Sequence, residues 1–200
     1  LGKPLKIINH LVREDIPIAI ASLGPKSVET TAEIADAWLP AFYTPEAADA
    51  VWGESLKAGK KLRDPNRAVL DIFAGGAVGI GAGMEPHREK GRAGAALYIG
   101  GMGARSKNFY NDIFSKSGYA EEAKLIQDLY LSGKKDAAAA AIPDDYLAKS
   151  SLIGEEAFVT DRINALKESG VTTLNVSFIG SDPSERIHQC ERLKNLVEKL

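Results

Sequence analysis

The loop Ala21-Ser22-Leu23-Gly24-Pro25-Lys26-Ser27 is the first stretch whose residue types and spacing could do chemistry. An apolar run, Ile16 to Ala21, leads into it, and helix-type residues with Val28, Thr31, Ala32 and Ala35 at spacings of three and four lead away. The loop therefore joins the C-terminal end of a strand to the start of a helix. Free backbone N–H groups and the positive end of a helix dipole meet an anion at such a junction, and Gly24 permits close backbone approach. That chemistry is phosphate binding. A tight turn made by Gly24-Pro25 is the alternative, and the local sequence leaves both open.

The remaining polar residues carry less. His10, His87 and His188 are far apart with no HExxH-type spacing, so no metal site is expected and they read as surface or packing residues. Cys190, the single cysteine, falls in the last helical stretch and is expected to be a buried or half-buried structural thiol. Asn108, Tyr110, Asn111 and Asp112 are expected to fix their own helix. The sequence assigns no catalytic residue.

The elements that must position the loop alternate. Strands are expected at Ile16 to Ala21, Ala37 to Phe42, Val69 to Ile80 and Thr172 to Phe178, each followed by helix. Helices are expected from Lys26 to Ala35, and from Thr44 as N-cap with Pro45 at the first position. Further helix is expected over Glu85-Pro86 onward, Ala93 to Tyr98, Asn108 to Phe114, Glu121 to Ser132, Lys134 to Ala141 and Glu155 to Ser169. Gly170 is expected to terminate the last of these, and Asp182 to cap the closing one. Alternation of this kind implies an α/β fold with a parallel sheet. A (β/α)8 barrel takes about 250 residues and eight strands, so four units make half of one. The expected architecture is the C-terminal half of a (β/α)8 TIM barrel with extra helices, one partial domain over residues 1–200, with the N-terminal half absent. Two open strand edges and an apolar inner face would then need a partner: the missing half or a second copy. Leu1-Gly2-Lys3-Pro4-Leu5, with no initiator Met, leads at once into a strand, as when a chain enters partway through a larger fold.

Composition agrees with a folded globular chain: 44% hydrophobic and 26% charged. A formal net charge of −2 gives no basic field for nucleic acid or an anionic membrane surface. One cysteine excludes an internal disulfide, and no apolar run approaches the roughly 20 residues of a membrane helix. A cytoplasmic protein is expected.

Three stretches carry a family resemblance. Asp15-Ile16-Pro17-Ile18 through Ala21-Ser22-Leu23-Gly24-Pro25-Lys26, continued by Ala32-Glu33-Ile34-Ala35-Asp36-Ala37-Trp38-Leu39-Pro40, resembles the corresponding part of the luciferase-like monooxygenases. Leu97-Tyr98-Ile99-Gly100-Gly101-Met102-Gly103-Ala104-Arg105-Ser106-Lys107-Asn108-Phe109-Tyr110-Asn111-Asp112 is similar too, as is Gly170-Val171-Thr172-Thr173-Leu174-Asn175-Val176. The resemblance implies an oxidoreductase using the deazaflavin coenzyme F420 (F-420), with FMN as the alternative, and a small-molecule substrate. It also implies that Ala21, Ser22, Leu23, Gly24 and Pro25 lie against the cofactor's phosphate-bearing tail, with Leu23 standing where the family has a small residue. Arg105 and Lys107 could reach a phosphate or a polyglutamyl tail, though a solvated helix start is the favoured reading. Residues facing the reactive ring come largely from the family's first four strands, which nothing here resembles, so the chain alone is expected to be inactive. A non-catalytic shortened barrel is the competing class, and a doubly wound nucleotide-binding domain, lacking G-x-G-x-x-G, ranks last.

Overall fold

Short β-branched and small-residue runs, cut by Gly-Pro and Asp-Pro breaks, set the sheet in the computed structural model, which describes residues 2–3, 8–10, 12–13 and 15–200. The strand expected just after Leu1-Gly2-Lys3-Pro4-Leu5 lies outside these residues. Five strands form one parallel sheet: β1 (Ala19–Ala21), β2 (Ala37–Leu39), β3 (Asp71–Ile80), β4 (Leu152–Gly154) and β5 (Thr173–Phe178). Four are the expected ones, with β1 and β2 trimmed to three residues each. The fifth, Leu152–Gly154, was not expected, because three residues carry no periodicity. Val78 pairs with both Leu152 and Phe178, so β4 and β5 flank β3 on opposite edges. Thus β4 shares an edge with β2, beyond the point where β2 stops. Removing β4 leaves β1, β2, β3 and β5 in barrel order.

Helices α1 (Pro25–Ile34), α2 (Ala48–Leu62), α8 (Glu156–Glu168) and α9 (Pro183–Val197) surround one core, in which Val28, Trp38, Trp52, Val78 and Val159 are almost fully enclosed. Between β3 and β4 comes a helical layer: a 3-10 helix (Glu85–Gly91), α3 (Arg92–Gly101), α4 (Phe109–Phe114), α5 (Ala120–Leu131), α6 (Lys135–Ala140) and α7 (Asp144–Lys149). It has a core of its own around Ile99, Phe114 and Ile126. Phe42 packs against both cores.

Several local signals are seen as expected. Asp182 accepts from the Glu185 N–H at 3.0 Å, and Gly170 follows α8 at φ 99°, the left-handed conformation that glycine tolerates. Asn108 caps α4 by accepting from Tyr110 and Asn111 N–H, while its amide donates to the Tyr98 and Ile99 carbonyls. Others differ. Thr44 does not cap α2; it is buried, and the helix starts three residues after Pro45 with Ala47 in the capping position. Cys190 is exposed rather than buried, because α9 turns Gln189, Leu193 and Leu196 inward and the next residue round the helix faces away. The glycines of β3 admit neighbouring backbone: a Cβ at Gly75 would lie 2.5 Å from the Asn175 oxygen, and one at Gly76 2.6 Å from that of Ser150.

The inner face also departs from expectation. In β5, Leu174, Val176 and Phe178 pack on the helical side while Thr173, Asn175 and Ser177 are exposed. In β1, Ala19 and Ala21 are exposed likewise. Strict alternation makes this face small at β1, where it is alanine, and polar at β5, where it is Thr173, Asn175 and Ser177.

Arg162 ties two helices together. Its guanidinium pairs with Glu46 and donates to the Lys149 carbonyl at 2.7 Å. Burial opposes ionisation of Glu46, but the hydrogen bonds and charge of Arg162, its own backbone N–H and the charge of Lys149 outweigh it and hold the carboxyl below the ordinary 4.5. Folding thus favours the ionised form. The resulting stabilisation is complete above pH 4.5 and is lost as pH falls through the lower folded value. Glu46→Gln should therefore flatten the acid limb of a stability–pH curve measured by denaturant unfolding. An unchanged limb would remove this pair from the acid response.

Candidate functional site

The loop between β1 and α1 is held from inside. Ser22 is buried, and its carbonyl accepts from Trp38 Nε1 at 3.0 Å. The Leu23 carbonyl accepts from Trp52 Nε1 at 3.2 Å. Thr31 Oγ1 donates to the Ser27 carbonyl at 2.7 Å, so the 2.8 Å contact between Ser22 Oγ and Thr31 Oγ1 has serine as donor. Gly24 in turn accepts from Ser27 Oγ at 2.8 Å and Val28 N–H at 3.0 Å.

With its acceptors turned inward, the loop offers donors outward. Lys26 and Ser27 N–H have no partner among the described residues, as the first turn of a helix requires, and Pro25 at the first helical position contributes none. Gly24 sits at φ −75°, ψ 152°, a conformation open to any residue. Glycine here answers to space: a Cβ would lie 3.1 Å from Phe109 Cε1. Lys26 does not lean over the loop but pairs with Glu29 at 2.7 Å.

Beside the loop runs a trough along the C-terminal ends of the strands. Its first cavity, about 350 Å³, lies where β3 outruns β2 and is lined by Phe42, Gly75, Gly76, Tyr98 and Tyr146. A second, about 330 Å³, adjoins it through Gly91, Leu147 and Ser150. A third, about 480 Å³, adjoins the second through His87, Lys90 and Ile179. Phe42 holds φ 59°, costly for a residue with a side chain, and its ring lies 5.4 Å from Tyr110 and 5.8 Å from Tyr98. Burial keeps the Tyr146 phenol protonated far above its ordinary range, so this wall presents neutral rings.

The structure brings Ala21, Ser22, Leu23, Gly24 and Pro25 together in one turn but gives them different surroundings. The Ser22 side chain faces the core, Ala21 lies on the exposed inner face, and Gly24 stands under Phe109. Arg105 is paired with Asp128 and Lys107 is exposed, the solvated arrangement the sequence favoured. The aromatic wall was not anticipated. Its signal, Phe42 three residues past the end of β2, is visible only once its backbone angle is known. His87 and His188, distant in sequence, line one cavity, while His10 does not.

The luciferase-like monooxygenase family model matches residues 3–173. The chain belongs to that family. A Mycobacterium tuberculosis member provisionally named a coenzyme F420-dependent oxidoreductase is 34% identical over 186 residues, covering 88% of this chain and 51% of that protein. The 5,10-methylenetetrahydromethanopterin reductase of Archaeoglobus fulgidus is 26% identical over 191 residues, covering 92% and 54%. Among solved structures, the coenzyme F420-dependent tetrahydromethanopterin reductase of Methanopyrus kandleri superposes with a TM-score of 0.61 at 21% identity, over 86% of this chain and 47% of that one. An F420-dependent secondary alcohol dehydrogenase gives 0.61 at 13% identity, over 92% and 49%. The luciferase-like fold is thereby shown, and the chain spans about half the length of the relatives it matches.

Proposed function

We propose that this chain is the C-terminal half of an F420-dependent oxidoreductase, with the turn Ala21 to Pro25 and the first turn of α1 holding the phosphate-bearing end of the cofactor. The loop's geometry supports the reading: its carbonyls are fastened to two indoles, leaving Lys26 and Ser27 N–H at a helix N-terminus to receive an oxyanion. Coenzyme F420 would supply hydride chemistry when bound, and FMN is the alternative occupant. Within that arrangement the chain's own residues bind and orient. The backbone around Gly24 takes charge, Ala21 and Gly75 line the sheet, and Phe42 and Tyr98 bound the space for substrate.

The inner face, small at β1 and polar at β5, and the outer edges of these two strands, unpaired among the described residues, would be covered by the other half of the barrel. The four barrel strands and the half-length match to the relatives support that partner over a second copy. Among the described residues no helix is long and apolar enough to cross a membrane.

The test is a titration of F420 and of FMN against the chain joined to the N-terminal half of a family member, with and without Gly24→Val. The branched side chain would push on Phe109 and block backbone approach. An affinity loss of about 1–3 kcal/mol, roughly five- to 150-fold, is expected with the melting temperature little changed. Unchanged affinity for both cofactors would leave this turn with a structural role only.

A further inference from the structure

The cavity between the 3-10 helix and the start of α9 is lined from one wall by Met84, His87 and Lys90 and from the other by Ile179, Ser181, Glu185 and His188. Its acceptors are partly committed. Glu185 Oε2 accepts from Ser181 N–H at 2.6 Å and Oγ at 2.9 Å, and the Gln189 amide is spent on both backbone groups of Ile80. Its donors are not. Lys90 and His188 are exposed and unpaired among the described residues, and the His87 ring, which also lines the cavity, makes no hydrogen bond among them.

We propose that this cavity binds the oxyanion of a small acidic ligand, a carboxylate or a phosphate, between His87, Lys90 and His188. Charge-assisted hydrogen bonds from an ammonium and two imidazoles suit an oxyanion, and Met84 with Ile179 offers the ligand's carbon skeleton an apolar wall. The two imidazoles are not read as metal ligands, because no group of three His, Cys, Asp or Glu side chains able to hold an ion occurs among the described residues. Asp182 and Glu185 each have one oxygen held by a backbone N–H, and the Lys90 ammonium, without a carboxylate partner among the described residues, offsets the charge of Glu185. The site is independent of the loop at Gly24, with which it shares no residue.

Inorganic phosphate and succinate are titrated separately into the full chain, in buffer free of both. The imidazole signals of His87 and His188 are followed by NMR, and affinity is taken from their titration curves. Both histidines should shift together and saturably with at least one of the two anions; preference for phosphate marks a phosphate-bearing ligand, preference for succinate a carboxylate. Lys90→Ala combined with His188→Ala should weaken that binding at least about tenfold. Both side chains are exposed, so the melting temperature should hold. The two imidazole signals report this cavity alone, so phosphate held at the turn near Gly24 does not enter the result and the site is separated from the cofactor reading. Absence of a saturable shift with either anion, an equal shift with chloride at matched ionic strength, movement of His188 alone, or undiminished affinity in the double variant would each overturn the proposal.

Discussion

Trp38→Ala is expected to cost about 3–5 kcal/mol in denaturant unfolding, the largest single loss in the chain. Trp38 is fully enclosed at the centre of the helix-packed face, edge-on to Trp52 at 5.3 Å and to Tyr43 at 6.3 Å. Its removal leaves a cavity that β2, only three residues long, is too short to close by shifting. It also strips the Ser22 carbonyl of its donor. Trp38→Phe separates the two effects by restoring most of the packing and none of the hydrogen bond. The phenylalanine variant should therefore recover stability while the turn after β1 loses amide protection. A Trp38→Ala variant within about 1 kcal/mol of the unaltered chain would show that this aromatic group is not what holds the loop.

Arg63→Ala should follow, at about 2–4 kcal/mol. Helix α1 ends without a basic residue in its last turn, and Arg63, just past the end of α2, supplies the charge from across the interface. One guanidinium nitrogen donates to the Ala35 carbonyl at 2.7 Å and the Ala32 carbonyl at 3.1 Å, while the other two reach Ala68 at 2.7 and 3.0 Å. Truncation leaves several helix-end carbonyls unpaired at once. Arg63→Lys keeps the charge but not the fork, so it should recover less than half of the loss, as read from the unfolding midpoint. Full recovery by lysine would reduce the role to charge alone.

How much of this was legible varies with the kind of signal. Strands β1, β2, β3 and β5 are written as apolar runs between Gly-Pro and Asp-Pro breaks, and Asp182 and Gly170 announce their helix ends. Both are local properties. β4 is defined by pairing with Val78 to Ile80, 74 residues earlier, and Leu152-Ile153-Gly154 has no pattern of its own. The burial of Cys190 was misjudged because the helix was recognisable but its inward stripe was set by one-residue phase. The turn after β1 was legible as a strand-to-helix junction with a glycine. Its fastening to Trp38 and Trp52 was not, since indole donors at distances of 16 and 29 residues leave no trace in spacing. The same holds for His87 and His188, which meet only because the ends of β3 and β5 are neighbours.

The division of the interior into two cores, meeting at Phe42, bears on access to the trough. A helical layer with an apolar centre of its own can open as a cooperative unit without the sheet beneath it. Gly91, Tyr98, Tyr146 and Leu147, which wall the trough, belong to that layer, while Gly75 and Gly76 belong to the sheet. Ligand entry can then be governed by breathing of a whole substructure instead of by a hinged loop, and residues deep in the α3–α7 core, such as Ile126 and Phe114, would set its rate without ever touching what enters.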